Sequence, residues 1–155
     1  MAEVYFYHLT RSPLEAALPE LLEICQKRDL KVVVNCGVAE RVAFLDQILW
    51  TYKEDSFLAH GLDSQPQAAA QPCLLSTTNT LANGADILML VDGAQADETA
   101  LQQFSRTCIL FDGNDSAAVD AARKDWKRVV AAKIPAKYWS QESGSWKQAA
   151  ASAPE

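Results

Sequence analysis

The residues able to do chemistry in this 155-residue chain are few and scattered. Two carboxylates, Asp92 and Asp112, each precede a glycine at the end of an apolar run, DILMLVDG and TCILFDG. Carboxylates at the C-terminal ends of parallel strands can hold Mg²⁺ beside substrate phosphates, so phosphoryl transfer is the best enzymatic reading. The competing reading is a plain turn, in which Asp bonds its own backbone and Gly takes a positive φ. The two histidines, His8 and His60, accompany no G-x-S-x-G or H-E-x-x-H pattern. A nucleophile pair of Cys36 with His60 could arise only by folding, because such pairs assemble in space. The six glycines include no G-x-G-x-x-G or G-x-x-x-x-G-K spacing, so no turn offers a pyrophosphate the close backbone approach it needs. No cofactor and no metal is expected. Cys25, Cys36, Cys73 and Cys108 lie in apolar stretches without a C-x-x-C, and read as buried, reduced thiols of a cytoplasmic protein.

The charges are less scattered. Positions 121 to 147 hold seven basic residues (Arg123, Lys124, Lys127, Arg128, Lys133, Lys137, Lys147) and two acidic ones (Asp125, Glu142), a net +5, whereas the rest of the chain carries seven basic and 18 acidic residues, a net −11. An electrostatic partner should dock at the C-terminal end, and the acidic remainder disfavours wrapping by nucleic acid. On a helical wheel Val119, Ala122, Trp126, Val129 and Val130 share one arc, and Arg123, Lys127, Lys124 and Arg128 cover an arc roughly 60° to 200° from Trp126. A core seam beside a solvated face explains this pattern. So does a groove for an acidic partner: Arg123 with Lys127 and Lys124 with Arg128 are like charges at i,i+4, costing about 0.2–0.5 kcal/mol each unless something neutralises them. Trp126, Tyr138, Trp139 and Trp146 lie in the same segment, and aromatics beside cations suit base stacking or capture of an apolar, acidic peptide. Trp50 and Phe57, farther upstream, are either core or anchors for a protein partner.

These residues must be positioned by elements whose apolar period alternates between strand-like and helix-like, the mark of an α/β domain with a largely parallel sheet and helices on both faces. EVYFYHL at 3–9 predicts a first strand, and Ser12, Pro13 and Glu15 predict a capped helix running to about residue 28, with Pro19 kinking it or delaying its start. KVVVNC at 31–36 reads as a central strand, residues 39–52 as an amphipathic helix, and 63–72 as a surface loop. Strands follow at 73–77, 86–93 and 107–113, with a short helix near 98–104 and a long one, capped by Asp115 and Ser116, to about 133. AKYWSQ, a turn at Ser143 and Gly144, and SWKQ predict a closing hairpin. A single domain over 1–148 is expected, with 149–155 a disordered tail, and neither an export signal nor a membrane span is visible.

Together, EVYFYHL, LDQILWTYKEDSFLAHG, the ends DILMLVDG and ILFDGND, the helix AARKDWKR and the closing KYWSQESGSW resemble, in order over residues 3 to about 147, the chi subunit of the bacterial DNA polymerase III holoenzyme. The resemblance implies a non-catalytic protein with a nucleotide-binding-like sheet that lacks a phosphate-binding loop. It also implies membership of the clamp-loader assembly and binding of the acidic C-terminal tail of single-stranded DNA-binding protein, which ends in a phenylalanine carboxylate after aspartates. By position, the tail-binding motif falls on Arg123, Trp126, Lys127 and Arg128. Trp50 and Phe57 become candidate anchors for the psi subunit or another clamp-loader subunit on the opposite surface. The reading that follows is a cytoplasmic replication accessory subunit, in contact with nucleic acid only indirectly. Its rivals are the Mg²⁺-dependent enzyme built on Asp92 and Asp112 and a direct single-stranded DNA-binding module.

Overall fold

The computed structural model describes residues 2–10, 13–51, 60–62, 71–79, 83–140 and 147–152. Among these residues the chain runs β1 (Glu3–Leu9), α1 (Leu14–Lys27), β2 (Val32–Cys36), α2 (Ala39–Thr51), β3 (Gly61–Leu62), β4 (Cys73–Ser76), β5 (Ile87–Val91), α3 (Glu98–Gln102), β6 (Arg106–Asp112), α4 (Ser116–Ala131), β7 (Ala136–Ser140) and β8 (Lys147–Ser152). One eight-stranded sheet has the order β3-β4-β2-β5-β6-β1-β7-β8. The seven strands from β3 to β7 in that order pair in parallel, and β8 closes the edge antiparallel to β7 as the expected hairpin.

The continuous apolar runs are explained by burial on both sides. Val32, Val34 and Cys36 face a core completed by Leu18 and Leu22 of α1 and by Leu45 and Leu49 of α2. Val33, one residue out of phase, faces a second core with Leu101 of α3 and with Ala122 and Val129 of α4. Thus α1 and α2 cover one face and α3 and α4 the other. Among the described residues no helix is long and apolar enough to cross a membrane.

Three local expectations change. Pro13 is the N-cap of α1 rather than its first helical residue and makes no side-chain cap, while Ser12 lies outside the described residues. Pro19 does not delay the helix start, because α1 begins at Leu14 and runs through it, with the ring buried among the core-facing residues. Residues 149–152, expected in a disordered tail, are paired: Ala136 lies opposite Ser152, Lys137 opposite Ala151 and Tyr138 opposite Ala150. An alanine-rich strand shows no alternation in sequence, yet its main chain completes the ladder as well as any other. The turn at Ser143 and Gly144 lies outside the described residues.

Candidate functional site

Two places bring the chemistry-bearing residues together. The first is a crevice of about 810 Å³ beyond the C-terminal ends of the central strands, lined by Glu15, Arg41, Asp92, Asp112, Asp115 and Asp125 among others. In parallel sheets this is where nucleotides bind. Here the chain itself occupies the polar positions. Asp92, at φ 51, accepts from Arg41 Nε at 3.1 Å, and Arg41 Nη2 donates to Glu15 Oε1 at 2.6 Å. Asp112 Oδ1 accepts from the Asn114 amide at 2.9 Å, which makes it a turn residue, and Asp115 Oδ1 caps α4 at the Ala117 amide, 3.0 Å away. The turn after β2, where a phosphate cradle would stand, is filled by main chain: a Cβ on Gly37 would collide with the backbone of Asp92 and Ala94. Asp92 and Asp112 line one crevice, but among the described residues no group of three or more His, Cys, Asp or Glu side chains is placed to hold a metal ion.

The Cys36 and His60 pair does not form. The Cys36 thiol donates to the Val38 carbonyl at 3.1 Å and lies 3.4 Å from Asp92 Oδ2, and burial pushes it up from the ordinary thiol value, away from the nucleophilic thiolate. His60 instead bonds Asp46 and lies tilted against the Trp50 ring. All four cysteines are buried, free thiols.

The second place is the outer flank of α4. Buried Ala122 and Val129 hold the helix to the sheet. Trp126 lies at the margin of that seam, its ring edge-on to Phe6 of β1 (centroids 5.4 Å apart) and to Tyr138 of β7 (6.1 Å). Tyr138 is fixed in turn by a 2.6 Å hydrogen bond between its hydroxyl and His8 Nδ1, and His8 stacks on Phe111 at 5.0 Å. Arg123 and Lys127 project into solvent roughly 60° and 100° around the helix from Trp126. Arg123 reaches only Asp120, at 3.9 Å, with both side chains about 70% exposed, and Lys127 has no ion pair among the described residues. The expected foursome is therefore three plus one: Arg128 lies on the other flank, 3.4 Å from Asp125, whose carboxylate is 13% exposed beside the crevice.

The aromatic concentration also divides. Tyr138 joins the α4 face, whereas its neighbour Trp139 points through the sheet to the opposite face, 6.2 Å from Tyr5, because consecutive strand residues alternate. Trp146 and Phe57 lie outside the described residues. Trp50 is 53% exposed at the end of α2, on the face opposite Arg123 and Trp126. Phe44, 46% exposed with Arg41 Cζ 4.7 Å from its ring centre, is a second exposed apolar residue of α2 that sequence reasoning passed over. His8 and His60, read from sequence only as polar residues or triad candidates, prove to brace aromatic rings.

The family model described as "DNA polymerase III chi subunit, HolC" matches residues 1–137. A protein of Rickettsia prowazekii (strain Madrid E) described as "Probable DNA polymerase III subunit chi" is 28% identical over 91 residues, which cover 59% of this chain and 55% of that protein. The chain thus spans about half the length of this relative in the matched region. With the family match running from the first strand into β7, across both candidate places, this chain belongs to the DNA polymerase III chi subunit family, whose members are replication accessory subunits.

Proposed function

We propose that this chain is a non-catalytic adaptor of the bacterial replisome that binds the acidic C-terminal tail of single-stranded DNA-binding protein on α4 and a clamp-loader subunit, psi or another, around Trp50. The observation that carries the first half is the flank of α4. Arg123 and Lys127 are exposed cations one helical turn apart with almost no internal partner, and Trp126 provides a rigid aromatic wall next to them. An incoming carboxylate relieves the repulsion between the two cations, and an apolar terminal side chain covers Trp126 and Val130, which is 36% exposed. Charge at a solvated rim chiefly speeds association and sets salt dependence, while the aromatic contact supplies residence time. Arg128 contributes less, because Asp125 already engages it.

Calorimetric titration with a short acidic peptide ending in Phe tests the reading, beside an amidated copy of the peptide and a poly-dT oligonucleotide. Micromolar binding to the free acid is expected, weakened by amidation and by added salt. Lys127→Ala should cost about 1 kcal/mol, close to a fivefold loss, and Arg128→Ala about twofold or less. Tight binding of the oligonucleotide with none of the peptide would overturn the proposal in favour of direct nucleic-acid binding.

A further inference from the structure

The far end of α2 carries an arrangement around Trp50 that the adaptor reading leaves unexplained. Asp46 and Trp50 are four residues apart and so share one side of the helix. His60, immediately before β3, turns its ring back between them: Nε2 lies 2.9 Å from Asp46 Oδ1, and the ring centre is 4.7 Å from the Trp50 ring at 54°. The His60 side chain is 1% exposed, that of Asp46 29% and Trp50 as a whole 53%. An ionised carboxylate only accepts, so Nε2 carries the hydrogen and the ring orientation is set by that bond. A histidine buried this deeply requires the bond, because leaving a polar group unpaired in an apolar setting is costly. The imidazole is thereby oriented, and it packs against an indole that keeps about half of its surface exposed.

We infer that His60, oriented by Asp46, is a positioning residue that holds Trp50 in a preformed docking pose. The inference rests on the reading of Trp50 as a partner anchor. An exposed tryptophan free to sample rotamers loses that freedom on docking; one already braced does not, which strengthens the complex by lowering the ordering cost rather than by adding a contact. Removing the His60 ring, which is 1% exposed, should weaken a complex that uses Trp50 by about three- to tenfold while leaving the exposed surface almost unchanged.

The test uses the 155-residue chain labelled with 5-fluorotryptophan, with the ¹⁹F resonance of Trp50 assigned by its disappearance in Trp50→Phe. The expected result is a Trp50 line displaced from the solvent-exposed position in the wild type, shifting toward that position in His60→Ala and in Asp46→Ala, with Trp126 and Trp139 unmoved. His60→Gln, whose Nε2 donor can still reach Asp46, should restore part of the displacement. Because Asp46 is partly exposed, Asp46→Ala keeps the test open should His60→Ala fail to fold. A Trp50 line that stays in place in Asp46→Ala, or in a folded His60→Ala, overturns the inference. Binding to purified clamp-loader assembly is measured in parallel. Full affinity in Trp50→Ala sinks the anchor reading alone, whereas a loss in Trp50→Ala with full affinity in Asp46→Ala and His60→Ala sinks the positioning role alone.

Discussion

Arg41 joins three elements that are distant in sequence, and its removal gives a sharp test of how the wall of the strand-end crevice is held together. The guanidinium of this α2 residue contacts Glu15 of α1 at 2.6 Å and Asp92 after β5 at 3.1 Å, and lies over the Phe44 ring. The three side chains are 29%, 32% and 21% exposed, intermediate between a solvated pair and a buried one. At that exposure each short pair contributes about 1 kcal/mol, the upper end for surface bridges, and the ring contact adds about 0.5 kcal/mol. Arg41→Ala should therefore cost about 2–3 kcal/mol and lower Tm by about 5–10 °C for a domain of this size. Arg41→Lys, offering one ammonium in place of a fork, should recover about half. The hydrogen bond from Arg41 holds the Glu15 carboxyl below its ordinary 4.5. A depressed folded-state value means that the stabilisation is fully present above about pH 4.5 and is lost as pH falls through the folded value. Urea melts of wild type and Arg41→Ala should thus differ by a constant amount from pH 8 to about 5.5 and converge below about pH 4.5. A gap at pH 7 smaller than about 0.5 kcal/mol, or one that widens in acid, would refute this account.

Other regions make separate demands. Gly37→Ala should destabilise by about 3 kcal/mol, because its Cβ meets main chain of Asp92 and Ala94 that has no flexible end to move; thermal melting reads it, and an unchanged Tm would refute the close approach of the two turns. Burial pushes Cys73 and Cys108 up to about 12, so at pH 8 Ellman's reagent should label them only after unfolding in guanidinium, and rapid native labelling of all four thiols would contradict the packing. Tyr138→Phe should lose about 1 kcal/mol of stability with the His8 hydrogen bond, measured by urea denaturation, while peptide titration detects little change because the ring that supports Trp126 remains.

The parallel core strands were legible because burial on both faces leaves an uninterrupted apolar signature, and β1 at 3–9 and α2 from 39 follow their patterns closely. Gly61–Leu62 and the alanines of β8 carry no such signature, since two residues are too few to show a period and a run of alanines shows no alternation; main-chain pairing is what reveals them as strands. The α4 flank was legible because helical periodicity is local. The placing of Arg128 against Asp125 was available from the same helix, three residues apart, yet grouping all four cations in one broad arc from Trp126 hid the pair. Period-two alternation could likewise have separated Trp139 from Tyr138 once 136–140 was read as a strand. The Arg41 cluster, by contrast, spans 26 and 51 positions, and no spacing rule reaches across folded elements.

The sheet that puts α2 and α4 on opposite faces also acts as a partition. Two ligands seated on those helices, as proposed, would not compete for space, and among the described residues no single loop joins α2 directly to α4. Coupling between such sites requires a two-state element that both bias. The described residues show one packed sheet between the two helices, so the two binding free energies should add, whichever partner arrives first. What the fold provides instead is local concentration: a partner held on one face keeps whatever is attached to the other within a molecular diameter, and tethering of that kind multiplies weak, salt-sensitive contacts without tightening either one.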